Sequence, residues 1–80
     1  MRRNNLDIYA DILNAARGGA RKTHIVYKAN LNFKIVKKYL RSLREKDLIQ
    51  NCDNGYYVTT PKGIQFLEKY EELVRPILAS

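Results

Sequence analysis

Few side chains in this sequence are suited to covalent or metal chemistry. His24 is the only histidine and Cys52 the only cysteine, and the local patterns place them on different elements. A nucleophile needs a base and an orienting group beside it, and neither residue has such neighbours in sequence. Asp7 and Asp11 share a helix face at i, i+4, but no third ligand accompanies them, so they read as a solvated helix side. There is no glycine-rich phosphate loop and no nucleophile motif. The expectation is therefore no enzyme, no catalytic residue, no metal, no cofactor and no small-molecule substrate.

The chemical type that does recur is the cation. The stretch from Asn30 to Lys46, NLNFKIVKKYLRSLREK, is the longest clean helical pattern, and Glu45 is its one acid. At about 100° per residue, Phe33, Val36, Tyr39, Leu40 and Leu43 fall on one side. Lys34, Lys38 and Arg41 fall opposite, with Lys37 and Arg44 on the flank. Asn32 is placed to cap this helix by accepting a first-turn N–H. A helix charged only for solubility usually interleaves both signs, and this one does not.

The rest of the chain repeats the asymmetry. The net charge is +7, but residues 1–46 hold twelve Lys and Arg against three acids, whereas residues 47–80 hold three against five. A basic half implies a polyanionic partner, and nucleic acid is the commonest. Eighty residues make one small fold with a thin core, which often needs help from a partner chain. One cysteine excludes an internal disulfide or a multi-cysteine zinc site and fits a reducing cytoplasm. The start, MRRNNLDIYADIL, is too polar for a signal peptide, and no segment approaches the roughly 20 apolar residues of a membrane span. Arg2 and Arg3 read as a frayed lead-in, or as an arm that reaches a minor groove.

Local signals give the elements that carry these cations. A first helix is expected from about Asn5 to Arg17, capped by Asn4 or Asn5 and stopped by Gly18-Gly19. Ala20 to Thr23 reads as a strand stub or a plain loop. Thr23 is expected to cap a second helix that ends near Ala29, with Ile25, Val26 and Ala29 inward. Asn30-Leu31-Asn32 then turns the chain into the basic helix, since Asn tolerates left-handed φ and also caps. Helix, short turn and basic helix form a helix-turn-helix, whose second helix enters the major groove.

After Lys46 the period changes to that of a β-hairpin around Asp53-Asn54-Gly55. Two registers are open. A two-residue turn at Asn54-Gly55 pairs Asp53 with Tyr56. A three-residue loop with a left-handed Gly55 pairs Cys52 with Tyr56 and gathers Ile49, Tyr57 and Thr59 on one face, which makes the better buried patch. Thr60-Pro61 opens the last helix, with Pro at the first position. Ile64 and Leu67 form one apolar line; Phe66, Tyr70, Leu73 and Ile77 form another, expected to be exposed in a monomer and so to form a dimer contact. Pro76 is expected to bend or end that helix near Val74 or Arg75.

This order resembles that of the small archaeal winged-helix DNA-binding proteins, a family of transcription regulators and dimeric chromatin proteins. The matching stretches are KTxIxYxANL over Lys22–Leu31, Tyr39-Leu40 with Leu43, Leu48-Ile49, and Tyr57 through Thr60 to Lys62-Gly63. They cover roughly residues 6–72. The resemblance implies an α+β, mostly α fold: a winged helix-turn-helix of three helices plus a β-hairpin wing and a C-terminal dimerisation helix. It implies duplex DNA binding through the third helix and the wing, and dimerisation through the last helix. Residues 1–60 would be the DNA-binding domain and 61–80 the dimer helix. The wing tip departs from a phosphate-gripping wing, since Asp53-Asn54-Gly55 has no Lys or Arg.

The expected DNA-binding set is Arg21, Lys22, Thr23, Lys28, Asn32, Lys34, Lys37, Lys38, Arg41 and Asn54. The expected function is a homodimeric transcriptional regulator, cytoplasmic and nucleoid-associated. The alternatives are a winged-helix protein-interaction module in a larger complex or a non-specific chromatin protein. RNA binding through the hairpin tyrosines ranks below these.

Overall fold

A computed structural model describes residues 4–52 and 55–79, with side chains through residue 74. The elements in order are α1 (Asn5–Ala15), β1 (Ala20–Arg21), α2 (Lys22–Ala29), α3 (Phe33–Glu45), β2 (Ile49–Asn51), β3 (Tyr56–Thr59) and α4 (Pro61–Ala79). The architecture is the expected winged helix-turn-helix, with four helices and one three-stranded antiparallel sheet in the order β1-β3-β2.

Each helix start has a local cause. Asn4 caps α1 through a capping box: its side chain accepts the Asp7 N–H while Asp7 accepts the Asn4 N–H. Asn32 Oδ1 accepts the Ile35 N–H at 2.8 Å and so starts α3. Thr60 Oγ1 accepts the Gly63 N–H at 3.0 Å and donates to the Asp47 carbonyl at 2.7 Å, tying the start of α4 to the end of α3. Helix α2 differs from expectation. Its N-cap is Arg21, which makes no side-chain cap bond, and Thr23 lies inside the first turn. The strand β1 runs directly into the helix and leaves no room for a capping loop.

The helix-turn-helix turn is closed by Asn30 at φ 55°, with the Leu31 N–H bonded to the Val26 carbonyl at 3.1 Å. The same arrangement ends α3. Asp47 takes φ 61°, and the Leu48 N–H reaches the Leu43 carbonyl at 2.9 Å.

One core joins all elements. Ile12, Leu13, Ile25, Val36, Leu43 and Leu67 are fully buried in it, with Leu40, Ile49 and Leu48 around them. The hairpin takes the three-residue-loop register: Ile49 pairs with Thr59, Asn51 with Tyr57, and the Cys52 N–H bonds the Tyr56 carbonyl at 2.7 Å. Gly55 has φ 76°, as that loop requires. Thr59 then stitches the sheet to α1, donating its N–H to the Ala16 carbonyl and its hydroxyl to the Leu13 carbonyl at 2.6 Å. Gly63 admits a close approach of Leu48 and β3 to α4, since a Cβ there would collide with the Leu48 carbonyl oxygen and with Thr59 Cγ2.

Three further expectations are corrected. Phe33 is 54% exposed, because it is the first residue of α3 and the buried stripe begins one turn later at Val36. Phe66 and Tyr70 are half-buried against the chain's own α1, as Phe66 meets Tyr9 edge-on and the Tyr70 hydroxyl donates to Asp7. The line on α4 is thus partly consumed inside the monomer. Of the two expectations for Pro76, a bend or an end of α4 near Val74 or Arg75, the end is overturned, since the helix runs to Ala79. Proline's fixed φ is helical, and a proline inside a helix costs a hydrogen bond and a clash with the carbonyl one turn back, which a helix can absorb close to its end.

Candidate nucleic-acid interface

The basic surface is built on α3. Val36, Leu40 and Leu43 fix its inner side in the core, and Tyr39 and Ser42 tie one flank to α1 through hydrogen bonds to Asn5 and Tyr9. With those two sides fixed, rotation about the helix axis is settled. Lys34, Lys37, Lys38, Arg41 and Arg44 all emerge exposed on the remaining arc.

That arc has two parts. Lys37, Arg41 and Arg44 turn toward the sheet, where they line a cleft of about 150 Å³ together with Lys22, Leu40 and Tyr57. Lys34 and Lys38 lie further round, away from the cleft. Arg21 sits on β1, opposite Tyr56 of the wing, with its guanidinium carbon 5.1 Å from that ring's centroid. Among the described residues, Lys22, Lys37, Arg41 and Arg44 have no carboxylate at ion-pair distance; the Arg17–Glu71 pair at 3.9 Å lies elsewhere.

The structure therefore brings together Arg21, Lys22, Lys37 and Arg41, with Lys34 and Lys38 on the outer side of the same helix. Lys28 is set apart, bordering a groove between α1 and α2 with Asp11, Asn14 and His24. Thr23 and Asn32 are exposed, and Asn32 already uses its carbonyl oxygen as the α3 cap. Asn54 lies outside the described residues. Among the expected dimer residues, Leu73 is 69% exposed, and the side chain of Ile77 lies outside those described. Cys52 is exposed on the hairpin, on a different element from His24. Among the described residues no helix is long and apolar enough to cross a membrane.

Two members of the surface escaped sequence reasoning. Tyr56 positions Arg21 by a pairing between segments far apart in the chain, for which no local signal exists. Arg44 was visible as a flank cation, but only Tyr57 of β3, lining the same cleft, turns that flank into a cleft wall.

Comparison with known proteins agrees with this architecture. Residues 2–77 match the family described as Winged helix-turn-helix. The chain is 38% identical over 78 residues to Uncharacterized protein MJ0290 of Methanocaldococcus jannaschii. That match covers 96% of this chain but only 36% of the relative, so the chain spans about a third of that protein's length. The fold is also similar to the crystal structure of Sso10a-2, a DNA-binding protein from Sulfolobus solfataricus. Its TM-score is 0.83 at 25% identity, over 96% of this chain and 84% of the other. With helix-turn-helix, hairpin wing and family match all spanning nearly the whole sequence, this chain belongs to the winged helix-turn-helix family.

Proposed function

We propose that the chain binds double-stranded DNA, with α3 in the major groove and the base of the wing against the backbone. The observation that carries this reading is the exposed cation arc of α3, continued onto β1 by Arg21. The DNA-binding description of Sso10a-2 supports it. Lys34 and Lys38 are suited to the groove, while Lys22, Lys37, Arg41 and Arg21 are suited to phosphates. Asn32 favours phosphate over adenine, because a bidentate adenine contact needs the oxygen that the helix cap already uses.

The finer reading is a homodimeric transcriptional regulator, cytoplasmic and nucleoid-associated, with the helix-turn-helix and wing within residues 1–60 on DNA and the outer end of the 61–80 helix, around Leu73, at the dimer seam. Phosphate contacts position a protein without specifying sequence, so a general chromatin role rests on the same surface. Selection from random duplex DNA separates the two. An enriched motif supports a regulator; no enrichment supports a coating protein.

The direct test is duplex binding against salt. With about five to seven phosphates neutralised, the log–log slope is expected near −5 to −6 for one site. A slope shallower than about −2 removes the groove-binding reading and leaves a protein-interaction module, for which exposed Leu73 on α4 is the natural contact.

A further inference from the structure

Four cations from two helices converge on one small cleft. Lys22 is the first residue of α2; Lys37, Arg41 and Arg44 come from successive turns of α3; Leu40 and Tyr57 supply the apolar part of the wall. The cleft holds about 150 Å³. The cleft is open to solvent on one side, and a tetrahedral phosphate group is of a size to enter it.

The electrostatics call for an anion. Like charges gathered round so small a volume repel one another, and none of the four is paired with a carboxylate among the described residues. Glu45 borders a neighbouring depression with Arg41 and Arg44 but forms no ion pair with either. Two arginines and two lysines among six lining residues are the side-chain types that bind phosphate oxygens, the guanidinium through a fork and the ammonium as a point charge. The positive end of α2 adds to this, since its opening at Lys22 has no side-chain cap.

We propose that this cleft is a discrete phosphate-binding pocket, taking one phosphate group from either the DNA backbone or a free phosphate ion. The backbone source rests on the DNA-binding reading; the free-ion source does not.

The test titrates inorganic phosphate into the isotope-labelled full chain, with ionic strength held constant by chloride. The amide resonances of Lys22, Arg41 and Tyr57 are expected to shift saturably. The double variant Lys22→Gln, Arg44→Gln is expected to bind roughly tenfold more weakly while melting as a folded protein. Linear drift without saturation, or saturation undiminished in the folded variant, overturns the pocket. A second arm measures duplex DNA binding in phosphate-free buffer. A salt slope shallower by about 1 for each cation removed assigns the pocket to the backbone. Saturable phosphate with an unchanged slope assigns it to a free ion. Steep salt-dependent DNA binding without saturable phosphate overturns the pocket and leaves the DNA reading standing. Saturable phosphate without DNA binding does the reverse.

Discussion

The Arg21 guanidinium carbon lies 5.1 Å from the centroid of the Tyr56 ring, and the two residues face each other across the β1–β3 ladder. The sequence between β2 and β3 carries no Lys or Arg, whereas this pair supplies a cation on the sheet. A cation held over an exposed ring gains about 0.5–1 kcal/mol in position. Tyr56→Ala keeps the charge of Arg21 and releases its placement. DNA affinity in that variant is expected to fall about two- to fivefold, the equivalent of that energy, and less than in Arg21→Ala. Fluorescence anisotropy measures both. A Tyr56→Ala protein that binds like the parent shows that Arg21 does not depend on the ring.

The two sides of α3 predict opposite kinds of damage. Leu40 is 2% exposed, so Leu40→Ala leaves a cavity and is expected to cost about 2–5 kcal/mol of stability. Lys38 and Arg41 are exposed, so Lys38→Ala with Arg41→Ala is expected to leave the melting temperature nearly unchanged and to weaken DNA binding. Thermal melts and a titration on the same samples separate the effects. An unchanged titration in the double variant means that the cation row faces something other than DNA.

What could be read in advance was what is local. The apolar spacing of Val36, Leu40 and Leu43, the Asn32 cap and the left-handed Asn30 all depend on neighbours within one or two turns. The hairpin register was legible for a related reason, since only one choice puts Ile49 and Thr59 on the buried face together. Non-local features were not legible. The two-residue strand β1 exists because β3 pairs with it, and that pairing displaces the expected Thr23 cap. The stripe on α4 looked like a surface in search of a partner, but Tyr9 and Asp7 of α1 already take part of it. Neither Phe66 nor Tyr70 carries a local sign of that.

Tyr70 links stability to alkaline pH. Its hydroxyl donates to Asp7, and that bond, followed by burial and by the charges of Asp7 and Asp11, pushes the phenol up from 10.0 to about 12. The folded state therefore favours the neutral phenol. Its stabilisation is complete below pH 10 and is lost as pH rises toward 12. Tyr70→Phe is expected to be less stable at neutral pH by about 1 kcal/mol. Its melting temperature should then fall less steeply than the parent's over the alkaline window. Parallel curves for the two proteins between pH 10 and pH 12 show that the bond does not govern alkaline stability.

The dimer prediction now rests on the far end of α4. Phe66 and Tyr70 are half-buried within the chain, which leaves Leu73, at 69% exposure, as the described apolar residue free to meet a second copy. The helix continues past position 76 to Ala79, giving 19 residues and about 28 Å of rod at about 1.5 Å per residue. A twofold contact along its outer half leaves α1 and the core undisturbed, as a closed symmetric pair requires. It also sets two copies of α3 on one face of a duplex if they lie about 34 Å apart, one turn of DNA. With so few apolar side chains at the seam, the dimer is expected to be weak and concentration-dependent. Sedimentation at micromolar concentration is expected to show dimer for the parent and monomer for Leu73→Asp. Affinity for DNA carrying two half-sites should fall in the variant, because the second engagement is no longer intramolecular. A parent protein that sediments as a monomer and binds no better than Leu73→Asp overturns the dimer and leaves α4 as a structural helix of the monomer.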